Sequence, residues 1–387
     1  MNKKTVAVVF GSRSPEHDVS IVTAISSIIK PLELLGHTVV PVYIAKNGDW
    51  FVGDELADIK TYQAGRVDKI MNKQKPMVVS FNGGLRLSVG SGFSKKEWKI
   101  DVVFPATHGA YGEDGSLMGL LRLANVPFVG CDMEASVVAM NKVLSKQVAE
   151  ANGILTAKYV SFLASEFETD RKAVMKKVND SLRYPVFVKP PHLGSSIGIT
   201  RVKDKKGLEN ALEVAAYYDD VVLVEEAVEN LIEVTVPIMG NDDPIPAMVE
   251  RPVKLNEDEF FDFQSKYINE GGKKKGGGKK GSQGYSEIPA KLPGKLYEEA
   301  ERTAREVYLK LGLTGISRVD LLIDSKAKKV YFNEVNPLPG GLYAHNFARK
   351  GISNVELVEK LLEYAEERSE QRNKVKTTFD TNYLKQF

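Results

Sequence analysis

A pair of short segments near the C-terminal end combines the residue types that could hold a metal-bound nucleotide. Residues 318–324 and 330–335 are rich in β-branched and aliphatic side chains, and the charged segment 324–329 between them predicts a β-hairpin. Side chains alternate between the faces of a strand, so Arg318 and Asp320 share one face, as do Glu334 and Asn336. Antiparallel pairing would gather two carboxylates and an amide oxygen beside a guanidinium. Oxygen ligands of this kind suit Mg²⁺, so we interpret the hairpin as the floor of an ATP site.

A solvated hairpin face is the alternative interpretation for any single acid in this region. The clustering favours a site, because the run Asn-Glu-Val-Asn ends a strand directly before the rigid turn Pro-Leu-Pro-Gly-Gly at 337–341. Functional side chains are often placed on loops at strand ends.

A second stretch, residues 184–199, has the composition of a phosphate-binding loop. The strand PVFVK ends at Lys189, and the loop 192–198 supplies two glycines, the hydroxyls of Ser195 and Ser196, and several backbone N–H groups. The G-x-x-x-x-G-K-[ST] pattern of a P-loop does not occur in the sequence. The next apolar strand, 221–226, ends in acids, and Glu233 follows; such acids commonly hold a ribose or an adenine amino group, or else protect a sheet edge.

The N-terminal third begins as a βαβ unit, which predicts a right-handed crossover and a sheet with helices on both faces. Strand 4–10 enters the loop GSRSPEH, which lacks the later glycines of a dinucleotide fingerprint. Strand 101–105 enters a Gly-rich loop, 106–115, and a helix over 116–125. Ligands bind at this carboxyl edge of open α/β sheets, although a tight structural loop is an equal alternative.

The remaining pattern predicts elements that position these loops. We expect hairpins and linkers over 45–100 and a helix ending near Leu35, with Gly36 as its stop and Pro31 as a kink or break. The further predicted elements are a strand at 37–44, a short strand at 127–130, a helix over about 133–152, a helix at 296–311 and an amphipathic helix at 355–367.

Composition narrows the class of protein. The 387 residues suffice for two or three domains, and 43% are apolar, as in globular proteins. With 53 basic and 51 acidic residues, the net charge of +2 gives no reason to expect a nucleic-acid partner. The single cysteine, Cys131, excludes an internal disulfide and suits the cytoplasm. No apolar run approaches the roughly 18–20 residues of a membrane span, and the short apolar start is better interpreted as a strand than as a signal peptide.

A long polar segment at 254–295 contains the low-complexity run 271–284, which has five lysines and no acid. Its composition predicts a flexible loop. We interpret the segment as a mobile lid with its working part at 262–269, and the Gly/Lys run as an insertion; an unstructured insertion throughout is the alternative.

Seven motifs together resemble the D-alanine–D-alanine ligase family, whose fold is the ATP-grasp fold. They cover residues 4 to 366 in the order found in the family: GSRSPEHDVS, HGAYGEDGSLMGLL, VGCDMEASVVAMNK, VKPPHLGSSIGI, DFQSKY, SRVDLLI and NEVNPLPGG. The resemblance implies an α/β protein, α+β in parts, with an N-terminal open parallel-sheet domain. Its expected divisions are an N-terminal substrate-side domain (1–140), a central subdomain (141–226), a C-terminal subdomain (227–367) with the lid at about 258–288, and a polar tail (368–387).

The resemblance also implies a role for each matching residue. Glu16 would bind the ammonium group of the first D-alanine, steadied by Ser195 and Tyr267, with His108 beside that substrate. Arg318 and the backbone N–H of Gly340 would form the oxyanion hole, and Gly341 and Leu342 would contact substrate. The implied ATP-binding residues are Lys142, Lys189, Ser195, Ser196, Glu225, Glu226, Val228, Glu233 and Lys266. Asp320, Glu334 and Asn336 would hold two Mg²⁺ or Mn²⁺ ions.

The function implied is ATP-dependent ligation of two D-alanines through an acyl phosphate, for peptidoglycan precursor synthesis. Because relatives are often dimers, a homodimer is one expected assembly. Ser12, in place of a common glycine, the Gly/Lys insertion and the short segment 341–346 depart from the family pattern. Alternatives are a ligase for another amino acid or peptide pair, decided by the lid and 341–346, and a non-catalytic nucleotide-binding relative, disfavoured by Arg318 and the three predicted metal ligands. A dinucleotide-dependent dehydrogenase is disfavoured by the missing fingerprint.

Overall fold

The computed structural model describes residues 2–63, 65–74, 77–81, 83–252 and 286–387. Within them the strands are β1 (Thr5–Gly11), β2 (Thr38–Ile44), β3 (Trp50–Val52), β4 (Val78–Ser80), β5 (Arg86–Val89), β6 (Lys96–Lys99), β7 (Val102–Pro105), β8 (Tyr159–Leu163), β9 (Val186–Lys189), β10 (Thr200–Val202), β11 (Val221–Glu226), β12 (Leu231–Gly240), β13 (Ile245–Pro246), β14 (Arg251–Pro252), β15 (Ser286–Glu287), β16 (Gly315–Asp324) and β17 (Lys329–Asn336).

The α-helices in the same residues are α1 (His17–Val22), α2 (Lys30–Leu34), α3 (Ile59–Gln63), α4 (Val67–Lys73), α5 (Ser116–Leu123), α6 (Met133–Met140), α7 (Lys142–Ala151), α8 (Ala164–Thr169), α9 (Arg171–Ser181), α10 (Leu208–Tyr218), α11 (Leu296–Lys310), α12 (Ala344–Ala348) and α13 (Asn354–Asn373). Among these helices none has the length and apolar character that crossing a bilayer requires.

The N-terminal sheet has the strand order β3-β2-β1-β7, with β1 parallel to both β2 and β7. The two faces of β1 are both buried: Val6 and Val8 lie in one hydrophobic cluster, and Ala7 and Val9 lie in another. A continuous apolar run is what a parallel strand covered on both faces requires. The predicted opening βαβ unit is confirmed.

The first helical segment contains a π-helical stretch. Residues 17–34 are helical, but Thr23–Ile29, between α1 and α2, forms i to i+5 turns. Pro31 lies just after the π-helical stretch and does not end the helical segment, and Gly36 has a left-handed φ of +80° just beyond the helix. The predicted helix end is confirmed, and the π-helical stretch was not predicted.

Two further sheets carry the loops predicted to bind the nucleotide. The central sheet, β10-β9-β11-β8, is antiparallel and packs on α9 and α10 through a separate hydrophobic cluster. The C-terminal sheet has the order β13-β12-β16-β17, and α11 packs on it through residues such as Ala300, Ala304 and Val307. Leu357, Leu361 and Leu362 of α13 join the N-terminal core, so this helix links the two ends of the chain.

Several sequence-based boundaries were wrong. The helix expected over 133–152 is broken at Asn141 into α6 and α7, since the Asn141 side chain caps α7. The strand expected at 127–130 is reduced to a single bridge from Phe128 to Val103. Residues 45–100 contain the helices α3 and α4 besides hairpins, and α13 continues to Asn373, six residues beyond its predicted end.

Candidate active site

The β16–β17 hairpin forms as predicted and sets its polar residues opposite one another. Arg318 pairs with Asn336 in the register, and Asp320 pairs with Glu334. The side chains between them in sequence, Val319 and Val335, point into the core. Packing of that apolar face therefore fixes which face the polar residues share.

Arg318 and Asp320 are joined by two hydrogen bonds within one strand. The guanidinium donates to both carboxylate oxygens, at 2.8 Å from Nε to Oδ1 and 2.6 Å from Nη2 to Oδ2. Thr235 of β12 donates to the same carboxylate at 3.0 Å, and Arg318 also donates to the Tyr343 hydroxyl at 3.2 Å. Burial raises the pKa of Asp320, and the neighbouring guanidinium opposes that rise.

A lysine supplies the opposite charge for Glu334. The Lys142 ammonium lies 3.1 Å from Glu334 Oε2 and donates to the backbone oxygen of Leu193 at 2.7 Å. Lys142 is the first residue of α7, so the helix start sets where its side chain begins. Both predicted metal-binding carboxylates are thus paired with cationic groups that compensate their charge.

A buried cluster of two lysines and one carboxylate lies behind the hairpin. Glu225 receives Lys189 on Oε1, and the Lys146 ammonium lies 3.0 Å from Oε2. All three side chains are at least nine-tenths buried. Burial alone would raise the pKa of Glu225, but Lys146 and Lys189 outweigh it and lower the pKa to about 2. Burial also lowers the pKa of Lys146, against the opposing effect of Glu225.

A β-bulge brings an amide into this cluster. The register slips after Asp320, so that Leu321 pairs with Phe332 and Asn333 is left as an extra residue in β17. Asn333 Oδ1 lies 3.3 Å from Lys189 Nζ. The bulge thereby ties the hairpin to the strand that carries the predicted phosphate-binding lysine.

Glu16 and the glycine-rich loop meet across the N-terminal and central parts of the chain. The Ser195 hydroxyl donates to Glu16 Oε1, as the resemblance implied. Ser195 and Ser196 both have left-handed backbones, with φ values of 54° and 61°, a strained arrangement for side chains other than glycine. A Cβ on Gly109 would lie 2.5 Å from Ser14 Oγ and 2.8 Å from Glu16 Oε2, so a side chain at this position would displace both groups.

Thr23 of the π-helical stretch joins two further candidate residues. Its hydroxyl lies 3.0 Å from His108 Nε2 and accepts the backbone N–H of Gly341 at 3.0 Å. His108 is buried, which lowers its pKa and keeps the ring neutral. Gly340 lies close by, because a Cβ on it would be 4.0 Å from His108 Nε2.

The segment that follows is held in an unusual conformation. Gly341, Leu342 and Tyr343 have consecutive positive φ values of 62°, 55° and 47°. Leu342 is fully buried and the Tyr343 ring lies against the Arg318 guanidinium at 5.3 Å. The packing of these two side chains holds a backbone that would otherwise be unfavourable.

Two family models together match most of the chain. A family model described as "D-ala D-ala ligase N-terminus" matches residues 5–131, and one described as "D-ala D-ala ligase C-terminus" matches residues 148–363. A D-alanine--D-alanine ligase of Chlorobium limicola is 38% identical over 380 residues, which cover 96% of this chain and 99% of the relative. The ligase of Acetivibrio thermocellus is 37% identical over 382 residues, covering 95% and 97%.

This chain belongs to the D-alanine–D-alanine ligase family. Among solved structures, the VanG D-Ala:D-Ser ligase of Enterococcus faecalis is 30% identical and superposes with a TM-score of 0.77, covering 94% of this chain and all of that one. Ligases of this family have the ATP-grasp fold, so the predicted fold class is confirmed.

The other residues that family resemblance singled out lie in different surroundings. Glu233 lies in β12 opposite Leu322 and is half-buried. Glu226 points away from Glu225, as neighbours on a strand do, and accepts the backbone N–H of Arg183 at 2.9 Å. Val228 lies in the loop after β11. Lys266 and Tyr267 lie outside the described residues, as does nearly all of the predicted lid at 258–288.

Sequence reasoning missed several residues that the fold adds to the site. It gave no role to Thr23, Lys146 and Asn333, or to Glu113, which accepts the backbone N–H groups of Gly109 at 2.7 Å and Leu338 at 3.0 Å. Burial, followed by the charge of Glu16, raises the pKa of Glu113 to about 8. The repeated lysine spacing 142 and 146, one helical turn apart, was the available signal for Lys146.

Proposed function

We propose that this protein joins two D-alanines into D-alanyl-D-alanine, with ATP converted to ADP and phosphate, for the synthesis of peptidoglycan precursors. The observation that carries the proposal is the convergence of three separate parts of the chain: Glu16 with Ser195, the lysines around Glu225, and the Arg318 hairpin. Family membership supports the choice of D-alanine and ATP as substrates.

The first task of the residues is to hold one D-alanine for activation. The Glu16 carboxylate binds the substrate ammonium, and the Ser195 hydroxyl, with Tyr267, keeps that carboxylate in place. His108, neutral in its buried position, lies beside the substrate and is oriented by Thr23. A free carboxylate is a poor acylating agent, so its oxygen first attacks the γ-phosphorus of ATP to give an acyl phosphate and ADP.

The nucleotide lies between the central and C-terminal sheets. Lys142 and Lys189 contact its phosphates, Ser195 and Ser196 line the phosphate loop, and Lys266 brings the lid onto the γ-phosphate. The adenine amino group is assigned to Glu225, whose carboxylate would have to be shared with Lys146 and Lys189, and Glu233 holds the ribose. Because the Glu226 side chain is engaged by Arg183, Glu226 and Val228 contribute through their backbones.

The residues of the hairpin fit divalent cations. Asp320, Glu334 and Asn336 offer two carboxylates and an amide oxygen on one face of the hairpin, the type of ligand that Mg²⁺ prefers. We propose that these residues hold two Mg²⁺ or Mn²⁺ ions. When bound, such ions neutralise charge on the transferring phosphoryl group.

The second half of the reaction forms the peptide bond. The amine of the second D-alanine, held by Gly341 and Leu342, attacks the acyl carbon, and the tetrahedral oxyanion forms between Arg318 and the backbone N–H of Gly340. Each such donor typically contributes about 3–4 kcal/mol of transition-state stabilisation. The intermediate collapses with loss of phosphate. Lid closure keeps water from hydrolysing the acyl phosphate first.

The cellular setting and assembly are part of the proposal. A substrate such as ATP and a buried thiol at Cys131, whose pKa burial raises to about 11, suit a cytoplasmic enzyme. We also propose a homodimer, and the division of the chain at about residues 140, 226 and 367 into three units and a polar tail.

Phosphate release from ATP tests the proposal, with each D- and L-amino acid supplied in turn and in pairs with D-alanine. Release with D-alanine alone, accompanied by D-alanyl-D-alanine in the product analysis, is expected. Release only when a second amino acid such as D-serine is present would replace it with the alternative, a ligase for another pair, which the similarity to a D-Ala:D-Ser ligase makes worth testing. Bound ATP without release in any mixture would refute a ligase function.

A further inference from the structure

His192 opens the loop predicted to bind phosphates, and its ring lies where three elements meet. It follows β9, faces Asn141 at the start of α7, and faces Asp219 at the end of α10. The His192 side chain is 43% exposed, whereas the Asp219 side chain is only 4% exposed. His192, Asn141 and Asp219 are called the latch below.

The cap of α7 fixes the orientation of the Asn141 amide. Its Oδ1 accepts the backbone N–H groups of Val143 and Leu144, both at 3.0 Å. The Nδ2 group is therefore the one that faces His192, at 2.9 Å from Nε2. Because Nδ2 only donates, Nε2 of His192 must accept and cannot carry a proton.

The other side of the ring makes the complementary contact. Nδ1 lies 2.8 Å from Asp219 Oδ1, so the single proton of a neutral imidazole is placed there and donated to the carboxylate. The backbone N–H of His192 donates to Asp219 Oδ2 at 2.8 Å. His192, Asp219 and Asp220 together are close enough to hold a metal ion, but both ring nitrogens already have partners, which favours the hydrogen-bonded role.

The latch contacts the groups that receive the nucleotide. Lys142 directly follows Asn141, and its backbone N–H donates to Pro191 while its ammonium donates to Leu193. The same ammonium lies beside Glu334. Residues 191 and 193 flank His192, so displacement of its ring would move both the loop and the lysine.

We propose that His192 is a positioning residue: its neutral imidazole ties the cap of α7 to the end of α10 and so holds Lys142 and the loop 190–199 ready for the phosphates of ATP, and a proton on Nε2 releases this latch. The inference rests on the proposed function for its consequence in turnover. A proton on Nε2 would face the N–H groups of Asn141, so that either this contact or the helix cap would have to break.

The neighbouring charges set the pH at which His192 gains a proton on Nε2. The hydrogen bond that His192 donates to Asp219 raises the pKa of His192, and burial opposes this effect. The charge of Asp220 raises the same pKa, and the charge of Lys142 lowers it. Asp219 thus favours the charged ring while Asn141 disfavours it. Because the pKa of His192 is raised overall, the contact to Asp219 persists as the pH falls, and the contact from Asn141 to Nε2 is the one that is lost below the pKa of His192.

Substitution of Asn141 by Asp tests this directly. It replaces the amide that donates to His192 Nε2 with a carboxylate that can only accept, and it leaves the contact between Nδ1 and Asp219 unchanged. An aspartate still caps α7 through one oxygen, while its second oxygen accepts from a protonated Nε2. ATP gains a proton itself in this range, so the readout is the ratio of dissociation constants between variant and wild type, measured by calorimetry with Mg²⁺-ATP in the absence of amino acid. Between pH 8 and pH 5.5 we expect wild type to weaken relative to Asn141→Asp by about five-fold.

Two further measurements complete the test. The first is an NMR measurement at pH 8 on protein with ¹⁵N-labelled histidine, in which the His192 signal is identified by its absence from His192→Phe and should show the Nδ1–H tautomer. The second is kinetic: His192→Phe should have a higher KM for ATP than wild type while retaining kcat. An Nε2–H tautomer, or parallel pH profiles in wild type and Asn141→Asp, would overturn the proposal. Failure of the ligase function would appear separately, as normal ATP binding with no phosphate release in wild type.

Discussion

Substituting Glu225 by glutamine removes the one carboxylate shared by two buried lysines while keeping the side-chain volume. At 3.0 Å and an effective dielectric constant of about 20, the attraction between Glu225 and Lys146 is about 5–6 kcal/mol before desolvation is counted. Removing one member of a buried ion pair typically costs about 3–5 kcal/mol, because the partner is left uncompensated. We therefore expect Glu225→Gln to lower the free energy of unfolding by about 3–5 kcal/mol at pH 7.

The loss of unfolding free energy in Glu225→Gln should become smaller as the pH rises. Burial lowers the pKa of Lys146, and without Glu225 nothing comparable opposes it, so the folded variant binds the proton of Lys146 less tightly than the unfolded chain does. The unfolded state then binds more protons, and the stability of the variant rises with pH until Lys146 is uncharged in both states. The deficit relative to wild type should therefore be smaller at pH 9.5 than at pH 7.

The assay is urea unfolding followed by circular dichroism, since both tryptophans, Trp50 and Trp98, lie in strands β3 and β6, away from this cluster. Glu226→Gln is the matched control on the same strand; its partner Arg183 is exposed, so we expect a change below about 1 kcal/mol. Lys146→Met combined with Glu225→Gln should recover part of the loss. A stable single variant, or a double variant less stable than it, would refute the reasoning.

Three more expectations concern the reaction. Gly109→Ala places a Cβ 2.5 Å from Ser14 Oγ and 2.8 Å from Glu16 Oε2 at a left-handed backbone, so kcat/KM for D-alanine should fall about 10–100-fold while that for ATP changes less; unchanged D-alanine kinetics would contradict the proposed role of Glu16. Glu334→Gln should lower turnover about 100-fold or more with an unaltered circular dichroism spectrum, and near-normal activity would defeat the metal assignment. Chelation of divalent ions should stop phosphate release, and either Mg²⁺ or Mn²⁺ should restore it; release that persists in chelator would contradict the metal proposal.

The hairpin could be predicted because its information is local. Alternating apolar residues such as Val319 and Val335 require burial, and this requirement alone decides the face of Arg318, Asp320 and Glu334. The bulge at Asn333 could not be predicted in the same way, because an extra residue in one strand leaves the apolar pattern nearly unchanged until the partner strand is known.

Contacts between segments far apart in the chain could not be predicted from the sequence pattern. Glu113 meets Leu338, and Thr23 meets Gly341, across most of the length of the chain, and nothing local to any of the four residues indicates its partner. The break at Asn141 differs, because an Asn before a helical run is a recognised start signal, and it was overlooked inside a longer apolar pattern. Family resemblance supplied the roles of Glu16 and Ser195, which periodicity could not.

The π-helical stretch Thr23–Ile29 sets the rotation of one end of the first helix against the other. If the same residues were wound as an ordinary α-helix, the two ends of the segment would turn relative to each other by about 100°. Thr23 could then reach His108 and Gly341, or Leu32 could stay in the core, but not both. The wider turns of the π-helical stretch therefore allow one continuous helix to make both sets of contacts, which a regular α-helix with the same number of residues would not.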